Sequence, residues 1–400
     1  MADVGTSSPP RFDSMAPVAL DDPYPSYARL RAHGPLCRFE PRSWGVTRHA
    51  EVSALLRDPG LTKFFLPESY FHAAEAAGPA VDFFQRMDIG RTDPDVRRVL
   101  THDLSAAASR RRGPEVAVAV DAALSPLLDA AGVDAVADLA RPVVLTVLAD
   151  LIGLPPEVRA EVRAAVDALV DFGDVASMGG STVAAANVAV RRLREVIDAS
   201  LSERTARPTD DLLSRLGAVT GDPAVRERAV DNVITLLYAG LDTTTNLIGT
   251  GCAALAQHPA QFDRLRAAPA AAEVAVEEFL RFDPPVQITP RMVREPVTIG
   301  GRVIRPGRVL ILMLGSANRD ELVFREPEQL DVLRTPNPHV SFGGGTFFCF
   351  GAAQARVSAA VVVERLIRRC AAIEPAGPAV RARQFSFRSY ARLPVTFTAA

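Results

Sequence analysis

The segment from Ser341 to Arg356, SFGGGTFFCFGAAQAR, constrains the chain more than any other stretch. It contains one cysteine, Cys349, with consecutive glycines at 343–345 before it and Gly351 after it. Crowded glycines permit backbone angles that other residues avoid, and they let the chain approach a bulky group. A helix that begins just after the cysteine directs backbone N–H groups towards the sulfur. This environment favours a thiolate, the form that binds a metal, although a buried cysteine in a tight turn is the alternative.

The segment FGGGTFFCFG, which begins at Phe342, resembles the haem-binding loop of the cytochrome P-450 family, written FGxGxHxCxG. The resemblance implies that Cys349 is the axial thiolate ligand of a haem b iron, a ligand that favours O–O cleavage. It also implies that Phe342, Gly343 and Gly351 belong to the haem site. One position departs from the family pattern, because Phe347 stands where a His or Arg usually contacts a haem propionate. A phenyl ring donates no hydrogen bond, so another donor is expected to hold that propionate.

A long helix is predicted over residues 223–258, and its centre carries the second pattern. Asp222 followed by Pro223 is a helix start signal, an N-cap side chain before a proline at the first helical position. The centre reads YAGLDTTT from Tyr238 onwards. Gly, Asp and β-branched residues are poor helix formers, so their presence at the centre of a long helix indicates a role other than helix formation.

Small Ala239 and Gly240 leave room for a flat ligand against the helix backbone. A threonine hydroxyl can open a helix by competing for a backbone carbonyl, and the adjacent Asp242 offers a proton. The pattern resembles the oxygen-activation motif of the family, AGx(D/E)TT, which implies that Asp242 and Thr243 deliver protons. The alternative is an ordinary helix with a polar kink.

Glu278 and Arg281 lie three residues apart on a helix predicted over residues 271–282. This spacing places both side chains on one helix face, where they form an ion pair. The pair resembles the ExxR motif of the family, which implies that it supports the haem loop. Any surface helix can carry such a pair, so the argument rests on its position between the central helix and the cysteine segment.

Other basic residues are candidates for binding the haem propionates, since Arg–carboxylate contacts are among the strongest pairings available. Arg291 occupies the place of a propionate-binding arginine in the family. Arg97 and Arg98 lie on a helix predicted over residues 95–108, where the family commonly has a His as well as an Arg. For these two, a solvated basic face is the alternative. His339, just before the cysteine segment, is a further candidate, with a surface role as the alternative.

The resemblance implies a mainly α fold with small β-sheets (α+β), the single-domain cytochrome P-450 fold. The long central helix is expected over the haem and the cysteine loop on its proximal side. Residues 1–20 are predicted to form a flexible tail and residues 21–400 one haem domain. Strands are predicted over residues 35–47 and 288–313, and a hairpin over residues 384–397.

Composition limits the remaining possibilities. Hydrophobic residues make up 48% of the chain, which suffices for a sizeable core, and the net charge of −2 argues against bulk binding to nucleic acid. The four cysteines lie far apart, so they form neither a disulfide framework nor a zinc site. No apolar run reaches the roughly 18 residues that span a bilayer, and no signal peptide is expected, because residues 1–11 are polar and rich in Ser and Pro. Since many members of the family carry a membrane anchor, the resemblance then implies the bacterial branch of the family. A cytoplasmic monomer bound to no membrane is expected.

The resemblance implies a monooxygenase that oxidises a small organic substrate, free or tethered to a carrier protein. The electron donors are expected to be a separate ferredoxin and its reductase, because one haem domain uses up the chain. Specialised-metabolite biosynthesis is the expected setting. The pocket walls are predicted to come from four variable segments, residues 64–91, 165–183, 286–289 and 384–387.

Two other functions remain open from the sequence. The first is a haem-thiolate enzyme with different chemistry, such as peroxide-driven oxidation, oxidative cyclisation, nitration or nitrene-type transfer. The altered propionate position, Phe347, motivates it, while the Asp242–Thr243 pair argues against it. The second is a non-catalytic partner protein. Such a protein is expected to lose Cys349 or the Glu278–Arg281 pair, and this chain keeps them.

Overall fold

Helices dominate the computed structural model, which describes residues 8–13, 15–39, 43–63, 77–87, 89–173, 180–384 and 386–400. The α-helices of the described part are, in chain order, α1 Pro17–Asp21, α2 Tyr24–His33, α3 His49–Leu55, α4 Pro79–Arg86, α5 Pro94–Asp103, α6 Ala106–Arg111, α7 Gly113–Leu124, α8 Arg141–Ile152, α9 Pro156–Gly173, α10 Gly180–Ala206, α11 Leu212–Gly217, α12 Pro223–Gln257, α13 Pro259–Ala267, α14 Ala272–Phe282, α15 Leu314–Ala317 and α16 Ala352–Arg369. A π-helix covers Ala135–Ala140.

The β-structure is confined to small sheets. Its strands are β1 Arg11–Phe12, β2 Leu36–Phe39, β3 Ser43–Val46, β4 Leu61–Lys63, β5 Val133–Asp134, β6 Thr289–Val293, β7 Val297–Ile299, β8 Arg302–Ile304, β9 Val309–Leu312, β10 Cys370–Pro375, β11 Val380–Arg381, β12 Tyr390–Arg392 and β13 Pro394–Ala399. The largest sheet has the order β1-β2-β3-β9-β6-β4, and the others are β10-β13-β5, β11-β12 and β7-β8.

Helix α12 runs through the main hydrophobic core and organises the helical part of the molecule. The side chain of Asp222 caps it by accepting hydrogen bonds from the backbone N–H groups of Ala224 and Val225, at 2.8 and 3.1 Å. Leu237, Leu241 and the segment 244–256 are buried. Each fully buried leucine contributes about 1.5–3 kcal/mol, so tertiary packing outweighs the weak helix formers at the centre.

The predicted fold class, mainly α with small sheets, is confirmed, and most element boundaries agree closely. The helix predicted over residues 223–258 ends one residue earlier, at Gln257. The helix predicted over residues 95–108 divides into α5 and α6, because Ser105 caps a new helix through the backbone N–H of Ala108.

Two predictions differ from the structure. The hairpin over residues 384–397 is wrong, because β12 pairs with β11 whereas β13 pairs with β10. Part of the predicted flexible tail is packed, since β1 pairs with β2 and Phe12 is buried in a core cluster. Residues 1–7 lie outside the described part of the chain.

Within the described residues, every helix is too short or too polar to cross a bilayer.

Candidate functional site

The cysteine loop follows residues 318–340, which form neither helix nor strand, and leads into helix α16. The backbone N–H of Cys349 donates to the carbonyl of Phe342 at 2.9 Å and closes the loop. Gly343 and Gly345 have positive φ angles of 72° and 59°. A Cβ atom on Gly345 would lie 2.9 Å from the carbonyl oxygen of Leu56. The two glycines are therefore required by the backbone conformation and, at Gly345, by close packing.

The sulfur of Cys349 faces the N-terminal end of α16 and is open to a cavity. Burial by surrounding protein atoms raises the pKa of the Cys349 thiol, whereas the Gly351 N–H and the charge of Arg356 lower it. The net direction is upwards, so the N-terminal end of α16 does not by itself offset the burial of the thiol. Metal coordination deprotonates a thiol outright, and the thiolate therefore depends on a bound metal.

Glu278 and Arg281 form a completely buried ion pair, as the ExxR resemblance predicts. Arg281 donates through Nε and Nη2 to the two carboxylate oxygens at 2.7 and 2.8 Å. Its remaining hydrogen bonds reach the carbonyls of Asn318, Pro327 and Gln329. The pair thus holds the segment that leads to the cysteine loop against α14.

Glu278 also has partners that the sequence pattern did not reveal. Arg334 donates to its carboxylate at 3.1 Å, and Asn337 donates at the same distance. Further along the chain, Asn318 donates to Ser341 Oγ at 2.7 Å, and Ser341 donates to the carbonyl of Leu280 at 2.6 Å. These residues come from distant positions, so no local spacing could identify them.

Cys349 opens into a cavity of about 310 Å³ between the cysteine loop and helix α12. Phe342, Gly343 and Phe347 line the loop side, whereas Gly351 lies outside the lining. The helix side includes Ala239, Asp242 and Thr243, and apolar walls are added by Val170, Leu247, Leu280, Val286, Leu314 and Phe387. The cavity is thus largely apolar, with a thiol and a few polar groups at defined positions.

The two small residues of α12 have different surroundings. Ala239 lines the cavity and is exposed to it. Gly240 packs against helix α8, since a Cβ atom there would lie 3.1 Å from Leu148. The prediction that Gly240 leaves room for a flat ligand is therefore wrong, and its size is set by helix packing. The hydroxyl of Thr243 donates to the Ala239 carbonyl at 2.6 Å, the competition that the sequence predicts.

Asp242 is tied to a buried arginine of helix α9. Arg163, with 9% of its side chain exposed, donates to Asp242 Oδ1 at 3.0 Å and also pairs with Asp167. Burial raises the pKa of Asp242, and the opposing charge of Arg163 does not reverse this direction. A carboxyl with a raised pKa retains a proton more readily, as a proton donor requires. Arg163 was missed by the sequence analysis because no motif marks it.

Arg291 is the predicted propionate anchor that lies at the cavity. It is 5% exposed, and among the described residues its Nε finds no hydrogen-bond partner. Nη1 donates to Thr289 Oγ1 and to the Pro290 carbonyl, at 2.7 and 2.9 Å. Burial lowers the pKa of Arg291 to about 10. A buried cation in this state favours binding of an anion.

The other propionate candidates lie elsewhere. Arg97 and Arg98 are exposed on α5, and Arg98 pairs with Asp95 at 2.7 Å. His339 Nδ1 accepts from the N–H of Ser341, so Nε2 carries the proton and donates to Glu277 at 2.9 Å. None of the three is among the described residues that line the Cys349 cavity. The solvated-face alternative holds for the two arginines, whereas His339 is an internal partner of Glu277.

Aromatic side chains form one wall near the cavity, as expected for part of the predicted pocket segments. The ring of Phe84 lies 5.2 Å from those of Phe172 and Tyr238 in edge-to-face arrangements. The aromatic residues between positions 64 and 76, which belong to the first predicted pocket segment, lie outside the described residues, as does Phe385. Phe387 lines the cavity instead and bridges to Val286.

A larger cavity of about 500 Å³ lies near the C-terminal end of α12. Its polar groups satisfy one another, because Asp283 accepts from Tyr24, Arg381 and Arg388. These interactions overcome burial and lower the pKa of Asp283 to about 2. The arrangement is that of a structural ion cluster, so the smaller cavity at Cys349 is the better candidate for chemistry.

The Cys349 cavity fits a haem. It combines a sulfur ligand for iron, an apolar space against a helix, and the buried cation Arg291, whose Nε lacks a partner among the described residues. These groups match a flat, largely apolar ring that bears an iron atom and carboxylates. Cys349 would hold the iron and Arg291 a carboxylate.

Comparisons with known proteins agree with this arrangement. The family described as Cytochrome P450 matches residues 271–384. The chain is 31% identical over 387 residues to the biotin biosynthesis cytochrome P450 of Bacillus subtilis (strain 168), covering 94% of this chain and 97% of that protein. It is 32% identical to the cytochrome P450 monooxygenase PikC of Streptomyces venezuelae, covering 91% and 88%.

Solved structures show the same fold. The P450BioI structure in complex with an acyl carrier protein ligated to hexadec-9Z-enoic acid has a TM-score of 0.86, 30% identity, and coverage of 94% of this chain and 99% of that chain. CalO2 has a TM-score of 0.87, 29% identity, and coverage of 97% and 99%. On this sequence and structural similarity, the chain belongs to the cytochrome P450 family and is an oxidoreductase of the monooxygenase type.

Proposed function

We propose that the chain uses haem b, bound through Cys349, to oxidise a small organic substrate in bacterial specialised metabolism. Its electrons come from a separate ferredoxin and that protein's reductase. The observation that carries the proposal is a single cavity with the Cys349 sulfur on one wall and Ala239 and Thr243 of α12 on the other. When bound, haem supplies the dioxygen and redox chemistry, and the protein supplies ligation, orientation and proton control.

The residues of α12 divide the proton-handling work. Asp242, whose pKa is raised by burial, takes up a proton more readily than an exposed aspartate and presents it at the cavity wall. Arg163 restrains that carboxylate from α9, so a shift of Arg163 would release Asp242 towards the cavity. The Thr243 hydroxyl donates to the Ala239 carbonyl and keeps its lone pairs available to a proton donor.

The cavity walls favour an apolar substrate. Val170, Leu247, Val286 and Phe387 contribute carbon surface, and Arg291 provides a charge close to the cysteine loop. One structural relative is described as a complex with an acyl carrier protein. This description supports a substrate tethered to a carrier protein. A free substrate is the alternative.

A candidate docking surface for the redox partner lies beside α16 and has mixed charge. A depression of about 410 Å³ beside α16 is lined by Arg110 and Arg356, and also by Glu273 and Glu277. Arg356 is committed to Glu277 at 2.7 Å. An acidic ferredoxin that docks here would rely on Arg110 more than on Arg356. The cytoplasmic location and the monomeric state stay predictions.

The ferrous–CO difference spectrum of the purified protein tests the proposal, with Cys349→Ser as the control. A strongly red-shifted Soret band that disappears in the control is the expected result. Folded protein that takes up no haem, or an identical band in the Cys349→Ser protein, would overturn it.

A haem-thiolate enzyme with other chemistry is the second candidate, because Phe347 replaces a propionate donor at the cavity. Thr243→Ala distinguishes the two. Monooxygenation with dioxygen should lose most of its coupling to product in this variant, whereas a peroxide-driven enzyme should keep its activity with peroxide.

A further inference from the structure

Phe347 lies beside two cationic side chains at the edge of the Cys349 cavity. The guanidinium carbon of Arg291 is 5.0 Å from the centroid of the Phe347 ring, and the Nζ of Lys63 is 5.9 Å from it. Both distances allow cation–π attraction. The Phe347 ring donates no hydrogen bond, but it therefore holds two charged hydrogen-bond donors close to its own position.

The strand register brings the same two cations together. Lys63 at the end of β4 pairs directly with Arg291 in β6, in an antiparallel ladder. Directly opposite residues in such a ladder project their side chains from the same sheet face, where like charges destabilise the pairing. Arg291 is 5% exposed and lacks a partner for Nε among the described residues. An anion that satisfies the Arg291 Nε beside the Cys349 cavity would therefore also lie close to the Lys63 ammonium across the strand pair.

We propose that Lys63 and Arg291 together bind the haem carboxylates, and that Lys63 takes the place of the donor that Phe347 cannot supply. This inference rests on the proposed binding of haem through Cys349. Phe347 acts as the apolar surface that orients the two cations. Lys63 is a positioning residue for the cofactor and takes no part in the oxidation itself.

The chain offers a selective chemical test, because Lys63 is its only lysine. An amine-acylating reagent can modify only Lys63 and the α-amino group, which serves as the internal reference. The protein is loaded with haem b or with haem b dimethyl ester, which keeps the ring and iron but has no carboxylate charges. Acylation at both amines is then measured by mass spectrometry. We expect Lys63 to react about fivefold more slowly with haem b than with the ester, which corresponds to roughly 1 kcal/mol of protection.

Haem release provides a second measurement that does not depend on uptake of the ester. Transfer of haem b to excess apomyoglobin should be about tenfold faster from Lys63→Met than from the unmodified protein, and close to normal from Lys63→Arg. Adding Phe347→His to Lys63→Met should slow the release again, because it restores a donor at the position where the family has one.

The outcomes separate this inference from the proposed function. Equal acylation with both haems, or equal release from Lys63→Met and the unmodified protein, would overturn the role of Lys63 while the red-shifted CO band persists. Faster release from Lys63→Met without rescue by Lys63→Arg would assign Lys63 a purely structural role and also overturn the inference. A protein that shows no thiolate-type band with either haem would overturn the proposed function itself.

Discussion

Replacing Glu278 by Gln removes the negative charge at the centre of a network that contains a completely buried ion pair. The Glu278 carboxylate accepts from Arg281 Nε and Nη2, from Arg334 Nε, from Asn337 Nδ2 and from the Asp331 N–H. Arg281 has no exposed side-chain surface and would keep its charge without a counter-ion. Breaking a buried pair in this way costs about 3–5 kcal/mol, a large part of the roughly 5–15 kcal/mol that stabilises a typical protein.

Arg281 retains its bonds to three backbone carbonyls in the Glu278→Gln protein, so we expect a loss near the lower end, about 3 kcal/mol. Urea unfolding of the haem-loaded protein, followed by circular dichroism, measures this loss. Asp95→Asn is the matched control, because Asp95 and Arg98 have the same spacing of three residues but are 53% and 76% exposed. Such a pair contributes about 1 kcal/mol or less. Equal losses in the two variants would refute the reasoning.

Two further predictions concern the cysteine loop and its support. Gly345→Ala should destabilise the protein by about 2 kcal/mol, because alanine is strained at a φ of 59° and its Cβ would lie 2.9 Å from the Leu56 carbonyl oxygen. Glu277→Gln should make the free energy of unfolding depend less on pH in the acid range. Burial alone would raise the pKa of Glu277, but hydrogen bonds from His339 and Arg356 lower it to about 2. As the pH falls through about 4.5 towards 2, the unfolded chain takes up a proton that the folded protein does not, so the unmodified protein should lose about 2 kcal/mol more than Glu277→Gln between pH 6 and pH 3.

Urea unfolding tests both predictions, with a separate comparison for each. Gly301→Ala shares the positive φ of Gly345 but places no atom within 4 Å of the new Cβ, so it should cost only about 1 kcal/mol. If Gly345→Ala costs no more than Gly301→Ala, close packing at Leu56 is not the cause. For Glu277→Gln, stability curves that stay parallel to those of the unmodified protein below pH 4.5 would contradict the assigned role of the Glu277 ion pairs.

Local chemistry made much of the fold and part of the site predictable. Asp222 with Pro223 marks a helix start because an N-cap side chain and a preset φ act within one turn. Gly343 and Gly345 are readable because only glycine adopts their backbone angles without strain. Cys349 could be predicted as a metal ligand because glycines lie at fixed spacings on either side of it in the sequence.

The contacts that could not be predicted join residues far apart in the chain. Arg163 reaches Asp242 from another helix, and Lys63 meets Arg291 only through strand pairing. Gly240 was misassigned because its neighbour, Leu148, is known only from the packing of α8 on α12. The hairpin at the C-terminal end failed because alternation predicts strands but not their partners.

The hydrogen bonds of Arg281 have a consequence for the mutational tolerance of the segment before the cysteine loop. Three of its acceptors are the backbone carbonyls of Asn318, Pro327 and Gln329. Every amino acid presents a carbonyl, so a substitution at Pro327 or Gln329 leaves this attachment chemically intact as long as the backbone keeps its path. Saturation mutagenesis should therefore find these two positions permissive and Arg281 itself intolerant. The chain can diversify the surface of this segment while a single guanidinium keeps its path.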